Sequence, residues 1–251
     1  MPNLPFVSCL CPTYKRPQLL ANAVACFQTQ DYEGPMELVV LDDAGTIQGF
    51  VYKNELARGS PERCSLLFSV PHRFPSLPCK YNWLARGSQG SILVVWEDDD
   101  IYLPWHVSCH VETLRVTNGQ WSKPYIIGST YPGHLVEESS AGRFHGSMAI
   151  TRKAFNETGG WPETDSRDYD MQMFKKLTDL YMGPADPIKL KREVSYVFRW
   201  GSTHAYHGSS YDMMTWYHEV GKLDKLPSDD VIIEVDFDEE TRGIYAQLSA
   251  T

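Results

Sequence analysis

The chain has 251 residues, 42% of them hydrophobic, which is enough to bury a sizeable core and sits at the upper edge of what one domain holds. A formal charge of −9 and a pI near 5.3 deny it any global attraction to phosphate backbones, so nucleic-acid binding would require a local basic surface. There is no cationic leader followed by an apolar stretch, and no apolar run approaches the roughly 20 residues of a bilayer span, so a soluble, cytoplasmic protein is expected.

In chain order, residues 6–11 (FVSCLC) read as a strand and 17–30 as a helix with proline in its first turn. MELVVLDD is a second strand and 64–70 (CSLLFSV) a third; 78–88 reads as a helix, and 91–96 (SILVVW) is an apolar run of the kind found in strands covered on both faces. A helix is expected from Pro104 to Asn118, extended chain at Tyr125–Thr130 and Ser147–Thr151, and a helix at Asp168–Tyr181 with Met173, Phe174, Leu177 and Tyr181 on one face. Residues 195–200 (SYVFRW) read as a last core strand. The domain is expected to span 1–222, with 223–251 an acidic tail whose VIIEVDFDEE forms an edge strand or docks on the domain. Six cysteines, at 9, 11, 26, 64, 79 and 109, make no CxxC pair and no zinc-type spacing; they read as reduced core thiols, with Cys9 and Cys11 on one face of their strand.

Alternating strands and helices predict an α/β fold with a mostly parallel central sheet flanked by helices, a class that binds ligands beyond the carboxyl ends of its strands. Those ends carry PTYKRP, DDAG and EDDD, so three polar motifs converge on one rim. The third is an electrostatic anomaly. Like charges about 4 Å apart repel by roughly 4 kcal/mol at an effective dielectric near 20, so Glu97, Asp98, Asp99 and Asp100 behind a buried strand call for a positive partner.

In order and spacing these motifs resemble family 2 glycosyltransferases of the GT-A fold, inverting enzymes that use nucleotide-sugar donors. The likeness runs over about residues 6 to 210. It comprises VSCLCPTYKRPQLLANAVACFQTQDYEGPMELVVLDDAG, CKYNWLARGSQGSILVVWEDDDIYLPWHV, HGSMAITRKAFNETGGWPE and RDYDMQMFKKL. The resemblance implies a divalent cation, Mn²⁺ or Mg²⁺, on Asp99 of the DxD-like motif, with Asp98 on the donor ribose or sharing the ion. Glu97 and Asp100 would be supporting residues, Asp100 as a cap on the helix beginning near Pro104.

The resemblance further places Pro12, Thr13 and Tyr14 near the base of the nucleotide, in a donor expected to be UDP-linked. Asp43 would accept the imide N–H with Asp42 close behind, while Lys80, Asn82 and Arg16 lie where the diphosphate is compensated. Asp168 matches the catalytic base that takes the acceptor's proton, although Arg167 stands where the family has Glu. Asp170 is expected to cap or orient. His145 and Trp161 fall on the acceptor side, with Trp200 a second aromatic able to stack on a sugar, and His207 fits the metal-completing position better than His204.

The expected activity is therefore metal-dependent, inverting transfer of a sugar from a nucleotide-sugar donor to an acceptor hydroxyl. Two alternatives stay open: a non-catalytic sugar-nucleotide-binding protein, kept in view by Arg167, and a sugar-1-phosphate nucleotidyltransferase, which would normally carry a Gly-rich basic loop where PTYKRP stands. The acceptor is open among a glycan, a protein, a small molecule and a modified nucleic-acid base. The last predicts a basic groove beside Asp168 built from Arg143, Arg152, Lys153 and Arg167.

Overall fold

The middle of the molecule is set by three runs that are apolar at almost every position: β1 (Val7–Thr13), β2 (Met36–Asp42) and β5 (Ile92–Val95), each buried along its whole length. The structure is a computed structural model that describes residues 4–47, 51–54, 63–130, 135–140, 143–164, 166, 168–187, 194–199, 232–233, 239, 243–244 and 246–247. Between these strands lie α1 (Pro17–Gln28), β3 (Val51–Asn54), β4 (Arg63–Ser69) and α2 (Leu77–Gly87). After them come β6 (Ile101–Tyr102), α3 (His106–Thr117), β7 (Trp121–Ser122), β8 (Ile126–Ser129), β9 (Val136–Ser139), β10 (Ala149–Thr151), α4 (Arg152–Thr158), α5 (Tyr169–Tyr181), β11 (Tyr196–Phe198) and β12 (Ile232–Ile233).

The main sheet runs β3-β4-β2-β1-β5-β10-β7, with β4, β2, β1 and β5 mutually parallel and β3 and β10 antiparallel to their neighbours. A smaller sheet, β12-β9-β8-β11-β6, stands beside it. The two-residue alternation of a strand divides the core between the faces of the main sheet. Cys9, Cys11, Leu38, Val40 and Val94 join α1 and α3 on one side; Leu10, Val39, Leu41, Leu93 and Val95 join α2, α4 and α5 on the other. None of the six cysteines is in a disulfide, and Cys9 and Cys11 do share a face.

Helix ends follow local chemistry. Pro17 opens α1 and proline lies in the first turn of α2, where a missing N–H costs nothing; Thr151 caps α4 by accepting the Ala154 N–H, and Gly159 closes it at φ 73°. The expected helix from Pro104 starts at His106, preceded by Trp105 with no side-chain cap, so Asp100 does not cap it. Instead Asp100 accepts the Tyr196 hydroxyl and the Arg199 N–H. The strands β3, β6, β7 and β9 and the helix α4 add elements that the periodicity had left unassigned. Ile232 and Ile233 form the edge strand of the smaller sheet; the boundary expected at 222 lies outside the described residues. No helix among the described residues is long and apolar enough to cross a membrane.

Candidate active site

The carboxyl ends of β1, β2 and β5 bring three motifs to one rim. Because β10 reverses against β5 and β7 reverses again, the residue after β7, Lys123, reaches the same rim on its far side. At the end of β1, Thr13 donates to Asp98 at 2.6 Å, and the Arg16 guanidinium bridges Asp98 and Asp99, each at 3.0 Å. Pro12 stays within the strand, paired with Leu41. The Tyr14 ring lies under the Arg73 guanidinium, 4.3 Å from its centroid. Lys15 occupies the left-handed region at φ 56°, a conformation unfavourable to L side chains that turns the chain between Tyr14 and Arg16.

At the end of β2 the two aspartates have different tasks. Asp42 accepts the N–H groups of Ala44, Thr46 and Ile47 and the Ser69 hydroxyl, so its carboxylate holds the DDAG turn together. Asp43 accepts the Phe74 N–H and forms a 2.5 Å ion pair with Lys80, whose ammonium also donates to the Thr13 carbonyl. Burial lowers the Lys80 pKa, and the Asp43 carboxylate opposes that shift. Lys80 thus ties the first two motifs together. Asn82, on the same helix, bonds the N–H and carbonyl of Trp161 and also donates to Glu163. Gly160 beside it has φ 81°, and a Cβ there would come within 2.4 Å of the Asn82 oxygen, so this turn requires glycine.

The four acids after β5 separate. Asp98 turns toward Thr13 and Arg16, whereas Glu97, Asp99 and Asp100 each place an oxygen within 4.8 Å of the others. Burial, then the charge of Asp99, pushes Glu97 up to about 8 and Asp98 up to about 7, with Asp100 raised for the same reasons. Three converging carboxylate oxygens, costly to ionise together, suit a hard divalent cation, which takes oxygen ligands. Sequence reasoning singled out Asp99 and missed the convergence of Glu97 and Asp100 upon it.

Glu97 is oriented from behind. The Trp161 indole N–H donates to His145 Nε2 at 2.7 Å. An indole nitrogen can only donate, so Nε2 is the unprotonated nitrogen and His145 carries its proton on Nδ1, 3.3 Å from Glu97 Oε1. Burial lowers the His145 pKa to about 4, keeping the ring neutral. Tyr81 donates to the same Glu97 oxygen and stacks on Trp161 at 5.2 Å. His145 and Trp161 are 4% and 1% exposed, so in this structure they form a strut beneath the rim rather than a surface open to a sugar.

At the start of α5, Asp168 is exposed, accepting from Ser166 and, at 3.1 Å, from Gln172; these bonds lower its pKa. Asp170 is half-buried in the first turn of the same helix. The basic residues expected to share a groove are apart. Arg143 precedes β10 and pairs with Glu138, whereas Arg152 follows β10 at the opposite end of the sheet, where it bonds the carbonyls of Ala85, Ser88 and Gly90, and Lys153 pairs with Glu157. That groove is therefore not formed by these three. Arg167, Trp200, His204 and His207 lie outside the described residues.

No known family profile and no curated protein sequence matches the chain. Solved structures do. The mannosyltransferase PcManGT from Pyrobaculum calidifontis, solved with GDP-Man and Mn²⁺, superposes with a TM-score of 0.56 at 17% identity, over 89% of this chain and 66% of that one. Residues 1–349 of S. aureus TarS with UDP-GlcNAc give 0.60 at 13% identity, over 98% of this chain and 71% of that one; the UDP complex gives 0.58. The fold is GT-A. At these identities the likeness concerns architecture, and this chain spans just under two thirds of the mannosyltransferase's length. Within the GT-A frame, the rim described above lies at the carboxyl ends of the parallel strands, the ligand-binding edge of open α/β sheets.

Proposed function

We propose that the chain is a metal-dependent, inverting glycosyltransferase that moves a sugar from a nucleotide-sugar donor, expected to be UDP-linked, to an acceptor hydroxyl. The observation that carries this reading is the convergence of Glu97, Asp99 and Asp100 beside the Thr13–Arg16 turn and the Lys80–Asp43 pair. Its support is that solved structures sharing this architecture contain GDP-Man with Mn²⁺ and UDP-GlcNAc. Six cysteines with no disulfide between them fit a reducing compartment.

In this reading the donor's base enters between the Tyr14 ring and the DDAG turn, and the diphosphate lies over the β5 carboxylates within reach of Arg16. Asp99, Glu97 and Asp100 would hold a divalent cation, Mn²⁺ or Mg²⁺, whose charge would stabilise the departing diphosphate. His145 and Tyr81 hold Glu97 in place for that ion, and Lys80 pairs with Asp43 at the base. The acceptor approaches from the β10, β7 and α5 side, and its proton passes to one of the two carboxylates that open α5, Asp168 or Asp170.

The test is thermal unfolding of the protein with UDP, GDP, UDP-GlcNAc and GDP-mannose, with and without Mn²⁺. A ligand that binds only the folded state at a hundred times its Kd adds about 2.7 kcal/mol, a shift of several degrees. The expected result is Mn²⁺-dependent stabilisation by at least one nucleotide and its loss in Asp99→Ala. Absence of stabilisation by every nucleotide would overturn the proposal.

A further inference from the structure

Two carboxylates open α5, and the structure separates them sharply. The buried stripe of this helix is Tyr169, Met173, Phe174 and Leu177. At about 100° per residue Asp170 falls within about 35° of the centre of that stripe, while Asp168, the residue preceding the helix, falls on the far side. Asp168 is accordingly exposed and bonded to Ser166 and Gln172, its neighbours in sequence.

What Asp170 overlooks is the acceptor side of the rim. Tyr169 and Phe174, the residues that flank it on the stripe, lie 5.4 and 6.3 Å ring to ring from His145, which in turn holds Glu97. On the other flank the Lys123 ammonium stands 5.6 Å from the Phe174 ring centroid. Lys123 is 3% exposed and its amine has no hydrogen-bond partner among the described residues, an arrangement that is costly unless something polar completes it. The charge of Asp170 acts on Glu97, His145 and Lys123 together. One oxygen of Asp170 accepts the Met171 N–H at 2.8 Å; the other accepts no bond from the described residues.

We infer that Asp170, rather than Asp168, is the catalytic base, with the enclosed Lys123 amine beside it positioning the acceptor. This deepens the transfer reading above and rests on it. In the step, the acceptor O–H gives its proton to the free Asp170 oxygen as that acceptor oxygen bonds the anomeric carbon. The bond from the anomeric carbon to the diphosphate breaks, and its electron pair leaves on the diphosphate oxygen. Asp168 serves as the hydrogen-bonded entry to the helix.

The experiment uses the full chain with Mn²⁺ and whichever of UDP-GlcNAc and GDP-mannose stabilises it more, water serving as the acceptor and release of nucleoside diphosphate as the readout. Asp170→Asn is expected to lower release at least a hundredfold while keeping the nucleotide-dependent thermal shift, and Asp168→Asn to lower it less than tenfold. Sodium formate, a small carboxylate, is expected to restore part of the activity of Asp170→Ala and none of that of Asp168→Ala, a rescue that a merely structural role would not show. Equal losses, the reverse order, or formate rescue of Asp168→Ala alone would overturn the assignment. Failure of the wild type to bind any nucleotide is a different result, which removes the transfer reading itself.

Discussion

The two halves of the rim are built on opposite electrostatic plans. On the side of β1 and β2, charges close on one another: Lys80 on Asp43, Arg16 on Asp98 and Asp99, and Asp42 on the amides of its own turn. On the side of β7 and α5, Lys123 is enclosed without a hydrogen-bond partner and Asp170 keeps an oxygen free among the described residues. A half that satisfies itself is rigid before any ligand arrives, which is how a preorganised site lowers the cost of binding a charged group. A half that leaves polar groups unmet is stabilised by whatever completes it.

That contrast can be broken most forcefully at Lys80. Lys80→Met strands the buried Asp43 carboxylate, and loss of one partner of a buried pair costs about 3–5 kcal/mol. Urea denaturation should register the loss, and a change below about 1 kcal/mol would show that the pair does not hold the first two motifs together. Next in size is Arg16→Gln. With the guanidinium gone from Asp98 and Asp99, Mn²⁺ in the absence of nucleotide should bind about tenfold more tightly, or about 1.4 kcal/mol, by electron spin resonance titration. Unchanged or weaker Mn²⁺ binding would mean that Arg16 does not compete with the ion.

The smallest effect sharpens the comparison from the other side. Burial, reinforced by the Arg143 charge, lowers the Lys123 pKa to about 7, against about 10.4 in an unfolded chain. Between these values the unfolded state holds the additional proton, so folding stability should rise with pH above 7, by at most about 1.4 kcal/mol per pH unit. Lys123→Met removes this contribution, and its denaturation free energy should gain about 1 kcal/mol less than the wild type between pH 7 and 8. Parallel pH curves for the two proteins would show that the amine is already satisfied in solution.

Much of the fold was legible because β1, β2 and β5 are covered on both faces and therefore apolar at nearly every position. Short elements escaped notice. β6 and β7 have two residues each, too few for any period to show, and exist because a neighbouring strand supplies their hydrogen bonds. At the site, EDDD was visible as a charge that needed an answer, but the division of labour within it was not. Consecutive residues in a turn project in different directions, so Asp98 reaches Thr13 while Asp100 meets Tyr196, 96 positions away. Likewise the helical spacing of RDYD distinguishes two faces without saying which one meets the sheet; the packing of Tyr169 and Phe174 against His145 decides it.

The sequence by itself determined the class of fold and the order in which polar motifs reach the ends of its parallel strands, because hydrophobic periodicity and turn chemistry are local. Only the tertiary structure decided which partner each polar group meets: Lys80 facing Asp43, Trp161 setting the proton on His145, Lys123 left beside α5. Hydrogen bonds and charges act over a few ångströms in space, whereas these partners lie 16 or more residues apart along the chain, so their pairing exists only once the fold has brought them together.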